Sequence, residues 1–83
     1  MKVQVRYFAS LREALGPQEQ VELPEGATLG ALRDRLIERG GRHAEVLARG
    51  RALRCALQQT MADEAQRVPD GAEVAFFPPV TGG

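Results

Sequence analysis

An 83-residue chain with alternating apolar segments at both ends and one amphipathic helix between them has few ways to bury all three. At the start, Lys2-Val3-Gln4-Val5-Arg6-Tyr7-Phe8 alternates with period two. Val3, Val5 and Tyr7 therefore share one face of a strand, and Lys2, Gln4, Arg6 and Phe8 the other. Near the end, Glu73-Val74-Ala75-Phe76-Phe77 reads as a last strand stopped by Pro78-Pro79. Between them Leu29, Leu32, Leu36 and Ile37 recur at helical spacing, with Arg33, Asp34, Glu38 and Arg39 on other faces. Thr28 is placed to cap this helix, and Gly40-Gly41 to close it.

Shorter signals fill the gaps. Ser10-Leu11-Arg12-Glu13 has capping-box spacing, which predicts a short helix over 10–15, ended by Gly16-Pro17. Residues 19–23 alternate again with Val21 and Leu23 inward, predicting a strand antiparallel to the first. Pro24-Glu25-Gly26 is a turn, and residues 43–48 can form one helical turn. Leu53, Cys55 and Leu57 alternate with polar or small residues as a third strand, and a short edge strand is expected near Met61. Val68-Pro69-Asp70-Gly71 turns the chain into the last strand. The fold class is α+β: a ubiquitin-like β-grasp, with a mixed sheet of four to five strands, one main helix and one or two short helices. The first and last strands lie parallel at the sheet centre. Residues 1–79 form this domain, and 80–83 an extended, flexible tail.

Composition closes off much chemistry. Hydrophobic residues make up 43% and charged residues 27%, the balance of a globular chain. Eleven basic residues against eleven acidic ones lack the cationic excess of a nucleic-acid binder. One Cys, one His and one Ser leave no internal disulfide, no set of zinc ligands and no nucleophilic triad. No apolar run reaches membrane-spanning length and no secretory leader is expected, so the reading is cytoplasmic, with no metal. Cys55 fits an inert buried hydrophobe better than a nucleophile, His43 a surface residue in a polar connection, and Ser10 a helix cap. Residues 30–54 hold seven Arg against Asp34, Glu38 and Glu45, while the rest of the chain carries a matching acidic excess. That polarity reads either as a solvated helix face or as steering toward a partner.

The C-terminus is distinctive. After Glu73 no side chain is charged, and the chain ends Val-Ala-Phe-Phe-Pro-Pro-Val-Thr-Gly-Gly. Pro78 and Pro79 favour an extended exit that projects Val80 and Thr81, and Gly82 and Gly83 can thread a channel closed to bulkier residues. What they deliver is the terminal carboxylate of Gly83, ionised at neutral pH and a poor acyl donor until activated, most simply as an acyl-adenylate. The chain has no phosphate-binding Gly loop with a Lys, so a partner must supply ATP chemistry. Displacement by a persulfide would then give a thiocarboxylate, and displacement by a lysine amine a protein conjugate. Strand parity also puts Phe8 and Phe77 on the face away from the helix, as a docking surface or beneath a covering loop or edge strand.

Residues 70–83, and above all the Phe-Phe-Pro-Pro-Val-Thr-Gly-Gly ending, resemble the small subunit of molybdopterin synthase, the MoaD family. The likeness extends more loosely through Tyr7-Phe8-Ala9 and Leu57-Gln58-Gln59-Thr60, and is least over 40–52. It implies a carrier without catalytic machinery of its own and with no bound cofactor. Gly83 would be adenylated with ATP by a MoeB-type enzyme and converted to a covalent 1-thioglycine using a cysteine desulfurase or rhodanese-like sulfur donor. The tail, Val80 to Gly83, would enter the large synthase subunit, MoaE, and give sulfur to cyclic pyranopterin monophosphate to build the molybdopterin dithiolene. Two small and two large subunits would form a heterotetramer, with Phe8, Phe77, Pro78 and Pro79 at the interface. Alternatives are a sulfur carrier for thiamine, cysteine or tRNA thiolation, a ubiquitin-like modifier attached to lysines, and a plain interaction domain.

Overall fold

The computed structural model describes residues 1–79. Five strands form one mixed sheet: β1 (Lys2–Tyr7), β2 (Gln18–Glu22), β3 (Arg54–Leu57), β4 (Thr60–Ala62) and β5 (Glu73–Phe77), in the order β2-β1-β5-β3-β4. β1 and β5 run parallel at the centre, with Val5 opposite Val74 and Tyr7 opposite Phe76. β2 pairs antiparallel with β1, placing Val21 opposite Val3 and Glu19 opposite Val5. β3 pairs antiparallel with both β5 and β4. The expected ubiquitin-like β-grasp is what these residues build.

The helices are α1 (Ala9–Leu15), α2 (Leu29–Ile37) and α3 (Gly41–Leu47). Thr28 caps α2 as its sequence predicts, its hydroxyl oxygen accepting from the Ala31 N–H at 3.1 Å. The next free amides of that helix, on Leu29 and Gly30, donate to the carbonyls of Gln66 and Glu64 at 2.9 Å. Gly30 permits this approach, because a Cβ there would meet Glu64 atoms at 3.2–3.4 Å. Leu29, Leu32 and Leu36 are fully buried against Val3, Val5, Tyr7, Val74 and Phe76, so α2 covers one face of the sheet. α3 adds Leu47 to the same core. Burying these side chains is the main stabilising contribution, roughly 1.5–3 kcal/mol for each large aliphatic one.

Three expectations are corrected. Ser10 is not a cap: β1 hands over at Phe8, whose carbonyl accepts from Leu11 and Arg12, and Ser10 lies inside α1 with no side-chain cap bond at the helix start. Ala9, at φ 54°, takes the left-handed turn that redirects the chain there. Arg33 does not lie on a solvated face but is 4% exposed. His43 is on α3 and largely enclosed rather than in a surface connection.

Candidate functional site

Strand pairing decides what the helix-free face displays. Register sets Arg6 beside Ala75, Ala56 beside Ala75, Arg54 beside Phe77 and Met61 beside Ala56. Directly paired residues point to the same side of a sheet, so these side chains share the face opposite α2. All of them but Arg54 border an open groove of about 560 Å³, with Phe8, Ala56, Met61, Ala75, Phe77 and Pro78 as its apolar lining and Arg6, Gln59 and Glu73 beside them, while Arg54 borders a neighbouring depression with Met61, Asp63 and Glu64. Phe8 and Met61, the two exposed large hydrophobic side chains among the described residues, both lie on it. Phe8 is held in place by its own N–H, which donates to the Phe76 carbonyl at 3.2 Å. Arg6 stacks 5.7 Å from the Phe8 ring centroid and stands 3.9 Å from Glu73.

Phe8 and Phe77, far apart in sequence, thus meet on one groove, with Pro78 at its end. No loop covers them among the described residues. Pro78 also borders a depression on the opposite side, with Leu11, Val46, Arg51 and Leu53. Phe77, Pro78 and Pro79 are half-buried. Val80, Thr81, Gly82 and Gly83 lie outside the described residues.

Two polar clusters escaped the sequence reading. Glu19 accepts hydrogen bonds from the Tyr7 hydroxyl and from His43 Nε2, each at 2.7 Å, and is paired with Arg39. Burial would push its carboxyl upward, but the bonds from His43, Tyr7 and Arg39 outweigh it and hold the group below the usual carboxylate range. Burial, reinforced by Glu19, pushes the Tyr7 phenol above its ordinary range. Strand parity could have revealed Glu19, since 19, 21 and 23 share a face.

In the second cluster, Arg33 Nε donates to the Leu47 carbonyl at 2.8 Å. Its NH2 reaches the carbonyls of Ala48 and Arg51, and its NH1 meets Glu64 at 2.9 Å. Arg49 joins through Glu64, Asp34 and the Gly30 carbonyl. Burial raises the Glu64 carboxyl, yet Arg49 and Arg33 bring it below its usual value. The signal was there: Arg33 stands four residues after Leu29, inside the apolar stripe.

Cys55 is buried, and its Sγ lies 3.3 Å from the Ala62 carbonyl. Burial, then Glu64 and Asp63, push its thiol upward, away from the reactive thiolate. Neither Ser10 nor Cys55 lines the groove. The basic bias of residues 30–54 is largely cancelled by folding. Arg33, Arg39, Arg42 and Arg49 find carboxylates, while Arg35, Arg51 and Arg54 make no salt bridge among the described residues. No helix among the described residues is long and apolar enough to cross a membrane.

Comparison with known proteins bears on this arrangement directly. The ThiS family matches residues 5–83. The chain is 40% identical to the molybdopterin synthase sulfur carrier subunit of Haemophilus influenzae, over 95% of this chain and 96% of that one. It is 38% identical to the subunit of the same description from Escherichia coli, over 98% and 99%. Among solved structures, SAMP1 from Haloferax volcanii superposes with a TM-score of 0.81 at 25% identity, covering 100% of both chains. The complex of subunits 1 and 2 of the molybdopterin-converting factor from Helicobacter pylori matches with a TM-score of 0.69 at 25% identity, again over 100% of both chains. Matched over nearly its whole length, the chain belongs to the ThiS family and stands within it among the molybdopterin synthase sulfur carrier subunits.

Proposed function

We propose that the chain works as the sulfur-donating subunit of molybdopterin synthase, with the Gly83 carboxylate as its working group. The observation that carries this reading is the near full-length identity to sulfur carrier subunits of that synthase, joined to the Gly82-Gly83 ending. The terminal carboxylate attacks the α-phosphate of ATP on a MoeB-type partner, and pyrophosphate leaves. A persulfide sulfur from a desulfurase or rhodanese-like donor displaces AMP, and a thiol reduces the acyl disulfide to the thiocarboxylate. Sulfur then passes to cyclic pyranopterin monophosphate inside the large subunit, and the carrier returns with a free carboxylate. Catalytic groups reside in the partners, and the carrier holds no cofactor of its own.

In this reading Val80 and Thr81 lead Gly82 and Gly83 into the large subunit, residues 1–79 act as the handle, and the sequence runs in the cytoplasm. Phe8, Phe77, Pro78 and Pro79 form the docking surface, supported by the place of Phe8, Phe77 and Pro78 on one apolar groove, with Pro79 next in the chain. Two carriers on a dimer of large subunits supply the two sulfurs of each product. The complex of subunits 1 and 2 of the Helicobacter pylori molybdopterin-converting factor supports pairing with a large subunit.

Intact-mass measurement after incubation with ATP, an activating enzyme and a sulfur source tests the central step. Exchange of one oxygen for sulfur at Gly83 is expected, and an unchanged mass overturns it. Deleting Gly83 should abolish dithiolene formation while leaving the thermal midpoint unchanged. The likeness to SAMP1, described as a small archaeal modifier protein, favours a second reading in which Gly83 is joined to lysines. Appearance of isopeptide-linked conjugates in place of the thiocarboxylate would select it.

A further inference from the structure

The helix-free face carries two arginines, and they are not equivalent. Arg6 stacks near the Phe8 ring and has Glu73 as a counter-charge. Arg54 stands opposite Phe77 in the β3–β5 register, is exposed, and makes no salt bridge among the described residues. Asp63 and Glu64 line the same depression as Arg54, yet neither forms a salt bridge with it. Asp63 Oδ1 accepts the Ala65 N–H at 2.8 Å, and Glu64 is held by Arg33 and Arg49. Among the described residues Arg54 is thus a cation without a salt-bridge partner, beside the aromatic that borders the tail root. Covering this face would strip water from its guanidinium, and an unpaired buried charge is costly. A carboxylate matches the planar guanidinium fork with two parallel hydrogen bonds.

We infer that the protein surface covering this face sets a carboxylate opposite Arg54, making Arg54 a specificity-determining residue of the docking surface. The inference rests on the docking reading given above, and commits its occupant to the large synthase subunit. Partners of the same shape lacking an acid at that point are rejected, because like or absent charge leaves Arg54 buried and unpaired.

The test is binding of the full-length chain to its cognate large subunit, measured by calorimetry across a salt series. Arg54→Glu should weaken binding roughly 30-fold and Arg54→Ala roughly tenfold, whereas Arg54→Lys stays within about threefold of the parent. The parent complex should also lose affinity with salt more steeply than Arg54→Ala. Reversing the facing acid on the large subunit should restore Arg54→Glu, which a purely structural role for Arg54 would not allow. Phe77→Asp and Phe8→Asp run alongside, with thermal melts confirming that every variant folds. If both aromatic variants lose binding while Arg54→Glu keeps its affinity and salt slope, the carboxylate is refuted and the docking face stands. If the aromatic variants also bind normally, both readings fall.

Discussion

Val74 and Phe76 on β5 are 0% and 1% exposed, whereas Ala75 and Phe77, alternating with them on the same strand, are less completely covered. One face of the sheet is sealed by α2 and α3 with Leu29, Leu32, Leu36 and Leu47. The other keeps a groove bordered by Phe8, Met61 and Phe77 and flanked by arginines. Side chains of similar hydrophobicity therefore serve two ends. On the covered face they hold the domain together, and on the open face they border a groove open to solvent. The lesson is that hydrophobicity alone does not separate core from open groove on a small sheet, and the position of the helix does.

Substitutions can break that contrast. The largest effect is expected for Phe76→Ala, which leaves a cavity under α2 and should cost about 3–5 kcal/mol in denaturant unfolding. A cost equal to that of Phe77→Ala would erase the distinction between the faces. Arg33→Ala comes next. It leaves the carbonyls of Leu47, Ala48 and Arg51 without their donor and should cost about 2–4 kcal/mol. The same unfolding measurement checks it.

Glu19→Gln, at the rim of the covered face, should cost about 1–2 kcal/mol through weaker bonds to Tyr7, His43 and Arg39. The sign of its pH effect follows from a carboxyl held below its unfolded value. That stabilisation is present above the unfolded value of about 4.3 and is lost as pH falls through the lower folded one. Thermal midpoints in acid should accordingly decline less for Glu19→Gln than for the parent. The smallest change in stability, within about 1 kcal/mol, is expected for Phe77→Asp, whose side chain is only partly buried and faces away from α2. Its partner binding should nevertheless fail, as titration with the large subunit will register, and this separates the open face from the covered one most sharply.

Much of the fold was legible because local periodicity does not depend on tertiary context. Val3, Val5 and Tyr7, and likewise Leu29, Leu32 and Leu36, share a face at any position in space, and all six are buried. The same parity placed Phe8 and Phe77 away from the helix. Ser10 misled because the capping-box pattern at 10–13 competes with the Phe8 carbonyl, which the strand end already supplies to the first turn. His43 misled because its surroundings in sequence are polar, while its neighbours in space are Tyr7 and Glu19.

The amino-acid order by itself determined where most strands and helices form, which residues face inward, and that no side chain after Glu73 is charged. These follow from spacings of two to four residues. Only the tertiary structure decided who neutralises whom. Arg33 meets Glu64 across 31 positions, His43 meets Glu19 across 24, and Arg39 meets Glu19 across 20. An ion pair depends on distance in space, and chain proximity says nothing about it until the sheet and helices have closed. For the same reason the basic excess of residues 30–54 dissolved into cross-pairs, and Arg54 emerged beside Phe77 without a carboxylate among the described residues.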